Sequence, residues 1–389
     1  MFLYYLCLLP FCIIITNHFK RKERFSHVLL LQKFFPSASY RRTSPARLQC
    51  RDVDGFMAWK EETRLHLAEL LGLSRLEQIA AQAAPFSRKP ELLESLQEDG
   101  YVRHKMRLQT LPGVFMPFYM LVPDGLPASC PSSAIIAIPA HGASKESVAG
   151  VLSSPGVKDK LDRTPKENYG QEFARKGYIV FCPDPPGYGE RLEPASMEDI
   201  AFLGGSSPNP LGSSCKNLTM TAEALGLTFA GLVLWDMMRL VDYIETLSFI
   251  DGSTLGCCGF SGGGLYTLWL AAMDDRIRLA VISGYLHGVG GSVMETHLCP
   301  CNFVPGLWKH YDMSDIASLI APRPAFFETG TRDVLNGPEG IENPVNQFHR
   351  LRQVYSLFGK ESDVRHGIFD GPHMWYGLGY SFADEYLHV

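Results

Sequence analysis

The sequence predicts an α/β fold: a mostly parallel central sheet covered by helices on both faces. Three observations predict it. Short, nearly unbroken apolar runs at 134–140, 178–182, 254–260, 279–283 and 325–328 have the composition of strands buried on both faces. Longer segments of helical character separate them, as parallel crossovers require. The run Gly256-Cys257-Cys258-Gly259-Phe260-Ser261-Gly262-Gly263-Gly264 then sets a serine between glycines, where a strand gives way to a helix.

Taken in order, residues 1–16 are almost wholly apolar, broken by Pro10 and followed by Lys20, Arg21 and Lys22. The stretch is shorter than the ~20 residues of a comfortable membrane span, and it lacks the positive leader of a standard secretory signal. Residues 1–51 are therefore expected to be an apolar, then basic, targeting, anchoring or poorly ordered segment. Any membrane association is confined to 1–16. Membrane or organelle targeting and a cytoplasmic location all stay open. Segment 52–99 is read as helical, from Trp59, Leu65, Leu67, Leu70, Leu71 and Leu73 set among charges.

The catalytic domain is expected over 100–389. Tyr101–Leu108 alternates, Pro112-Gly113 marks a turn, and Phe115–Val122 is strand-like, which predicts a hairpin. A strand at 134–140 ends at His141-Gly142. A helix over 166–176 leads into the strand 178–182 and a turn-rich loop, 183–191. One long helix is expected over about 221–247, then the serine strand and a helix over 262–273. Strands at 279–283 and 325–328 enclose a long loop, and a helix near 341–358 precedes the segment Phe369–His373.

Composition excludes several function classes. The chain is 46% hydrophobic and 20% charged, a globular balance. Residues 1–50 hold 8 Lys/Arg against the single acid Glu23, and the rest of the chain is acidic, so no basic surface supports nucleic-acid binding. Ten cysteines in 389 residues do not make a small disulfide scaffold. Cys257 and Cys258 are read as small buried thiols. His297-Leu298-Cys299-Pro300-Cys301 invites a metal reading, but no second ligand pair stands at a structural-zinc spacing. These cysteines are read as loop packing or as part of a disulfide. No motif calls for NAD, flavin or metal, so no cofactor is expected. Asn217-Leu218-Thr219 is a glycosylation sequon, relevant only on a secretory route.

A serine attacks an acyl carbonyl only if a base takes its proton, and that base needs an orienting acid. Glycines around Ser261 let strand and helix approach closely at a sharp turn. Downstream, Asp333 follows the strand 325–328 and His373 follows Phe369-Asp370-Gly371-Pro372, both where loops leave a parallel sheet. Asp312, Asp315, Asp363 and Asp370 are weaker acids for the role; His349 and His366 are weaker bases. The N–H of Gly262 and one from the loop after 134–140, Ala143 before Gly142, are the expected oxyanion donors. His141 is expected mainly to shape that turn. Trp308, Trp375 and Tyr376, with His141, are the candidate substrate contacts, and Glu190 and Arg191 are expected to form an internal ion pair.

At these residues the chain resembles the α/β-hydrolase superfamily, in its dienelactone-hydrolase and acetyl-xylan-esterase-like branch. The stretches that carry the resemblance are 135–142, 177–191, 256–264, 321–333 and 369–375, with 299–307 similar to a loop of related bacterial hydrolases. The resemblance covers roughly 100–385. It implies Ser261 as nucleophile, His373 as base and then acid, Asp333 as its orienting acid, and Gly262 and Ala143 as oxyanion donors. Dienelactone hydrolases proper use cysteine where this chain has Ser261. The implied activity is cleavage of a carboxylic ester through an acyl-enzyme, on a small-molecule or carbohydrate ester. A serine peptidase or amidase and a noncatalytic binding protein on the same frame are the competing readings. Oligomeric state stays open.

Overall fold

In the computed structural model of the protein, residues 48, 50–126, 131–193, 210–296 and 298–387 are described. They belong to one compact unit, Arg41–Val389. The expected 1–16 and basic N-terminal segments, and His297, lie outside the described residues.

Nine strands form one sheet in the order β1-β2-β3-β5-β4-β6-β7-β8-β9. β1 (Glu91–Glu98), β2 (Tyr101–Leu111) and β3 (Val114–Pro123) run antiparallel, and β3 pairs antiparallel with β5 (Ile179–Pro183). From β5 onward, β4 (Ser132–Ile138), β6 (Ile250–Phe260), β7 (Leu279–Ser283), β8 (Ala325–Gly330) and β9 (Val364–Phe369) are parallel. The apolar runs are continuous because both faces are covered, and side chains alternate between the faces. Ile136, Ile138, Cys257, Ala280, Ile282 and Phe327 enter one core. Ile135, Ala137, Cys258, Phe260, Val281 and Phe326 enter the other. Full burial of a large aliphatic or aromatic side chain contributes about 1.5–3 kcal/mol.

The helices are α1 (Val53–Leu71), α2 (Leu73–Gln82), α3 (Lys145–Val148), α4 (Val157–Arg163), α5 (Tyr169–Arg175), α6 (Pro210–Ala224), α7 (Phe229–Ile244), α8 (Gly262–Met273), α9 (Leu307–His310), α10 (Met313–Ser318), α11 (Glu342–Leu357) and α12 (Gly379–Leu387). α1 starts at Asp52, whose side chain accepts from Gly55 N–H, and stops at Gly72 in the left-handed region. Its Phe56, Leu67 and Leu71 are fully buried, and Arg64 forks onto Asp275 at 2.5 and 2.7 Å.

Two expectations on this layer change. Residues 91–98, read as part of a helical segment, form the edge strand β1, with Leu92, Leu93 and Leu96 exposed. Pairing with β2 overrides the helical propensity of Glu and Leu there, and Glu91 and Glu98 meet Arg107 and Arg103. The single helix expected over 221–247 is two helices. Gly226 turns the chain at φ +73°, and Thr228 restarts it by accepting from Gly231 N–H while donating to Leu71 C=O. Among the described residues no single helix is long and apolar enough to cross a membrane.

This topology brings the loops after β4, β5, β6, β7, β8 and β9 to the C-terminal edge of the parallel strands, the edge where open α/β sheets hold their ligands.

Candidate active site

Ser261 occupies the turn between β6 and α8 with φ +55° and ψ −118°. A side chain with a Cβ disfavours that region, at a cost on the order of 1–3 kcal/mol, so the surroundings must hold it there. Its N–H donates to Ser283 C=O of β7 at 2.9 Å. The glycines supply the space. A Cβ on Gly259 would lie 2.4 Å from the Gly263 backbone, and one on Gly263 would lie 2.1 Å from Ile138 C=O. Strand, turn and helix therefore meet at distances that only glycine permits.

Asp333 follows β8 and is nearly buried. One carboxylate oxygen accepts from Leu335 N–H at 2.8 Å and the other meets His373 Nδ1 at 2.6 Å. This leaves His373 Nε2 buried without a hydrogen-bond partner. The imidazole lies between the Phe260 ring, 4.5 Å away by centroids, and Gly284, where a Cβ would come within 2.9 Å of Cε1. Phe260 precedes Ser261, so the ring stands beside the serine turn. The structure thus gathers Ser261, Asp333 and His373 from three loops at one sheet edge.

The weaker candidates are engaged elsewhere. Asp312 and Asp315 cap α10 as a capping box. Asp363 accepts from Tyr386 and pairs with Lys360, and exposed Asp370 pairs with Arg332. His349 meets Gln353 on the surface of α11. His366 meets Thr329, and burial pulls its pKa down to about 4.

The turn after β4 engages one of the expected oxyanion donors. The Ala143 N–H donates to Ala140 C=O at 3.0 Å, closing a tight turn with Gly142 at φ +78°. The turn engages that donor, and Gly142 N–H is the neighbouring donor of the same turn. Gly262 opens α8, so its N–H lacks an intrahelical partner. His141 packs on this turn: a Cβ on Gly262 would lie 2.4 Å from its Nδ1, and its Nε2 meets Cys301 Sγ at 2.8 Å. Burial holds His141 below the ordinary histidine pKa. His141 is thus wedged between the serine turn and a sulfur cluster.

The aromatic expectations divide. Trp375 is 1% exposed, stacked on Tyr169 at 4.5 Å, with its indole N–H donating to Tyr380. It is a core residue, because both its face and its polar edge are satisfied inside the protein. Tyr376 is 42% exposed, stacked on Phe369, with Lys166 over its ring. Trp308 lines an apolar cavity of about 280 Å³ with Leu265, Trp269 and Phe303, whose lining does not include Ser261, Asp333 or His373. Glu190 and Arg191 do form internal pairs, with Lys145 and Asp236 respectively, rather than with each other. Lys145 and Asp184, both fully buried, pair at 2.8 Å and tie the loop after β4 to the loop after β5.

Sequence reasoning missed three residues here. Buried Glu328 of β8 accepts from Ser283 Oγ and from the N–H groups of Tyr376, Gly377 and Leu378, which anchors the segment just after His373. Burial raises its pKa against the pull of those donors. His287, four residues after β7, is buried near Asp333 and His373 with Nε2 unpartnered, and desolvation takes its pKa down to about 4. Cys215 of α6 joins His141, Cys299 and Cys301. Position after a parallel strand was the available signal for His287. Nothing local marks Glu328 or Cys215.

Comparison with known proteins agrees with this architecture. The Abhydrolase family model matches residues 44–335, a span that includes Ser261 and Asp333. YtaP of Bacillus subtilis, named as a candidate hydrolase, is 28% identical over 232 residues, 58% of this chain and 68% of YtaP. YcjY of Escherichia coli is 27% identical over 149 residues, and the match spans only 38% of YcjY. Among solved structures, a candidate acetyl xylan esterase of Bacteroides fragilis has a TM-score of 0.65 at 22% identity, covering 86% of this chain and 80% of its own. A glucuronoyl esterase of Solibacter usitatus has a TM-score of 0.59 at 15% identity, covering 89% of this chain and 97% of its own. At these identities the two structures establish a common fold.

Proposed function

The chain belongs to the Abhydrolase family, and on that premise we propose that it is a serine hydrolase cleaving carboxylic esters through an acyl-enzyme. The observation that carries the reading is the 2.6 Å Asp333–His373 contact beside a serine held at φ +55°. Ser261 Oγ attacks the ester carbonyl as His373 Nε2 takes its proton. Asp333 orients the imidazole and stabilises the imidazolium that forms. Negative charge on the carbonyl oxygen falls to the N–H groups of Gly262 and Gly142, with the N-terminus of α8 adding favourable potential. Collapse breaks the C–O bond, and His373 returns the proton to the departing alcohol. Water then attacks the acyl-enzyme by the same base and releases the acid.

The substrate is a small-molecule or carbohydrate ester. The likeness in fold to an acetyl xylan esterase and a glucuronoyl esterase supports acylated sugars and glucuronoyl esters as the first class to assay. The test pairs fluorophosphonate labelling with a panel of p-nitrophenyl esters, acetylated xylo-oligosaccharides, methyl glucuronoyl esters and peptides. Stoichiometric labelling lost in Ser261→Ala, with turnover of at least one ester, is the expected result. Folded wild-type protein that neither labels nor turns over any ester would overturn the reading. Cleavage of peptides alone would move it to amide hydrolysis.

A further inference from the structure

Beside the serine turn, His141 Nε2 and the sulfurs of Cys215, Cys299 and Cys301 all lie within 4.8 Å of one another. Cys215 and Cys301 are buried, and His141 and Cys299 are half-buried. The closest pairs are His141 Nε2 to Cys301 Sγ at 2.8 Å and Cys215 Sγ to Cys299 Sγ at 3.3 Å. We propose that these four side chains form a structural zinc site.

The donor set carries the argument. Three thiolates and one imidazole are soft-to-borderline ligands that select zinc among common divalent ions. Around a tetrahedral zinc, bond lengths of about 2.3 Å to sulfur and 2.0–2.1 Å to nitrogen put neighbouring donors roughly 3.6–3.8 Å apart. The four donor atoms already approach that spacing, so small rotations of the side chains complete the tetrahedron. Without an ion, the three thiols and the imidazole bond chiefly to one another, Cys301 to His141 and Cys299 to Cys215.

A second set of groups faces the sulfurs as donors. Asn302 Nδ2 points at Cys301 Sγ from 3.5 Å, and Asn302 is itself held by Tyr285 Oη at 2.8 Å. The hydroxyls of Tyr188 and Tyr266, on side chains about 1% exposed, lie near Cys301 without a well-formed hydrogen bond. Metal-bound thiolates accept such bonds, which fix the ligands and moderate their charge.

The ligands come from three segments: the turn after β4 for His141, α6 for Cys215, and the 3-10 turn Pro300–Asn302 with its cap for Cys299 and Cys301. Binding displaces the three thiol protons to solvent and leaves no open position for water, so the zinc cross-links rather than catalyses. The same imidazole packs on Gly262, so the ion would also fix the turn that carries Gly142. Zinc binding does not depend on the ester reading, because metal content and fluorophosphonate labelling are separate measurements.

The test uses the full chain, expressed without a polyhistidine tag and purified under reducing conditions. Elemental analysis is expected to find one zinc per chain. Cobalt(II) in its place should give an intense sulfur-to-cobalt charge-transfer band and the visible bands of a tetrahedral site. Cys299→Ala and Cys301→Ala should each weaken zinc binding more than about tenfold. The cobalt spectrum of wild-type protein keeps the test decisive even if a variant fails to fold. The proposal is overturned if reduced wild-type protein leaves equimolar zinc with a chromophoric chelator. It is equally overturned if anaerobically isolated protein carries a Cys215–Cys299 disulfide instead.

Discussion

The serine turn and the sulfur cluster meet at Gly262, yet they are built by opposite means. The turn is made of consecutive residues whose positions follow from strand pairing, glycine packing and one backbone bond to Ser283. The cluster is made of single side chains drawn from positions as far apart as His141 and Cys301. The difference teaches where each is vulnerable: the turn through any added atom near its backbone, the cluster through the loss of one ligand.

The largest expected effect separates the two completely. Ser261→Ala should lower kcat/KM for an accepted ester by about 10⁴-fold or more, while zinc stoichiometry stays that of the wild type. Zinc loss in that variant would show that the two regions are one unit. Next comes Gly263→Ala, whose methyl would lie 2.1 Å from Ile138 C=O. Chemical denaturation should show a loss of roughly 3 kcal/mol or more, typical of overpacking at a rigid backbone contact. A near-neutral result would mean that strand and helix can part at this crossing.

Gly262→Ala addresses the junction itself. Its methyl would strike the His141 ring, so ester turnover should fall about 10–100-fold and zinc affinity should weaken with it. A fall in turnover alone, at unchanged zinc affinity, would break the link between the regions. Stability is also expected to depend on pH, through His366 of β9 and His287 of the loop after β7. His366 and His287 sit buried with pKa near 4, against about 6.5 in the unfolded chain. The unfolded state therefore takes up protons first, and stability should fall as pH drops from about 6.5 to 4, then level. His366→Gln should flatten that limb by roughly 3 kcal/mol, measured as denaturation free energy against pH.

Much of the candidate site was legible because it rests on local rules. Ser261 is flanked by the glycines its turn needs, and Asp333 and His373 each follow an apolar run that became β8 or β9. The edge strand β1 was not legible, since its Glu and Leu residues favour helix until β2 offers a partner. The break between α6 and α7 turns on Gly226 and on Thr228, which reaches Leu71, 157 residues away. The turn bond of Ala143 and the buried stacking of Trp375 on Tyr169 were invisible in the order of residues.

By itself the sequence determined the parallel sheet, the serine turn, and the placing of Asp333 and His373 after later strands. Apolar periodicity and glycine placement act over a few residues and need no partner to be read. Only the tertiary structure decided that Ala143 N–H closes a turn, that Glu328 anchors the segment after His373, and that Cys215 and His141 join the Cys299–Cys301 pair. Those outcomes depend on which distant side chains the packed sheet and helices bring within a few ångströms, and spacing along the chain carries no record of that.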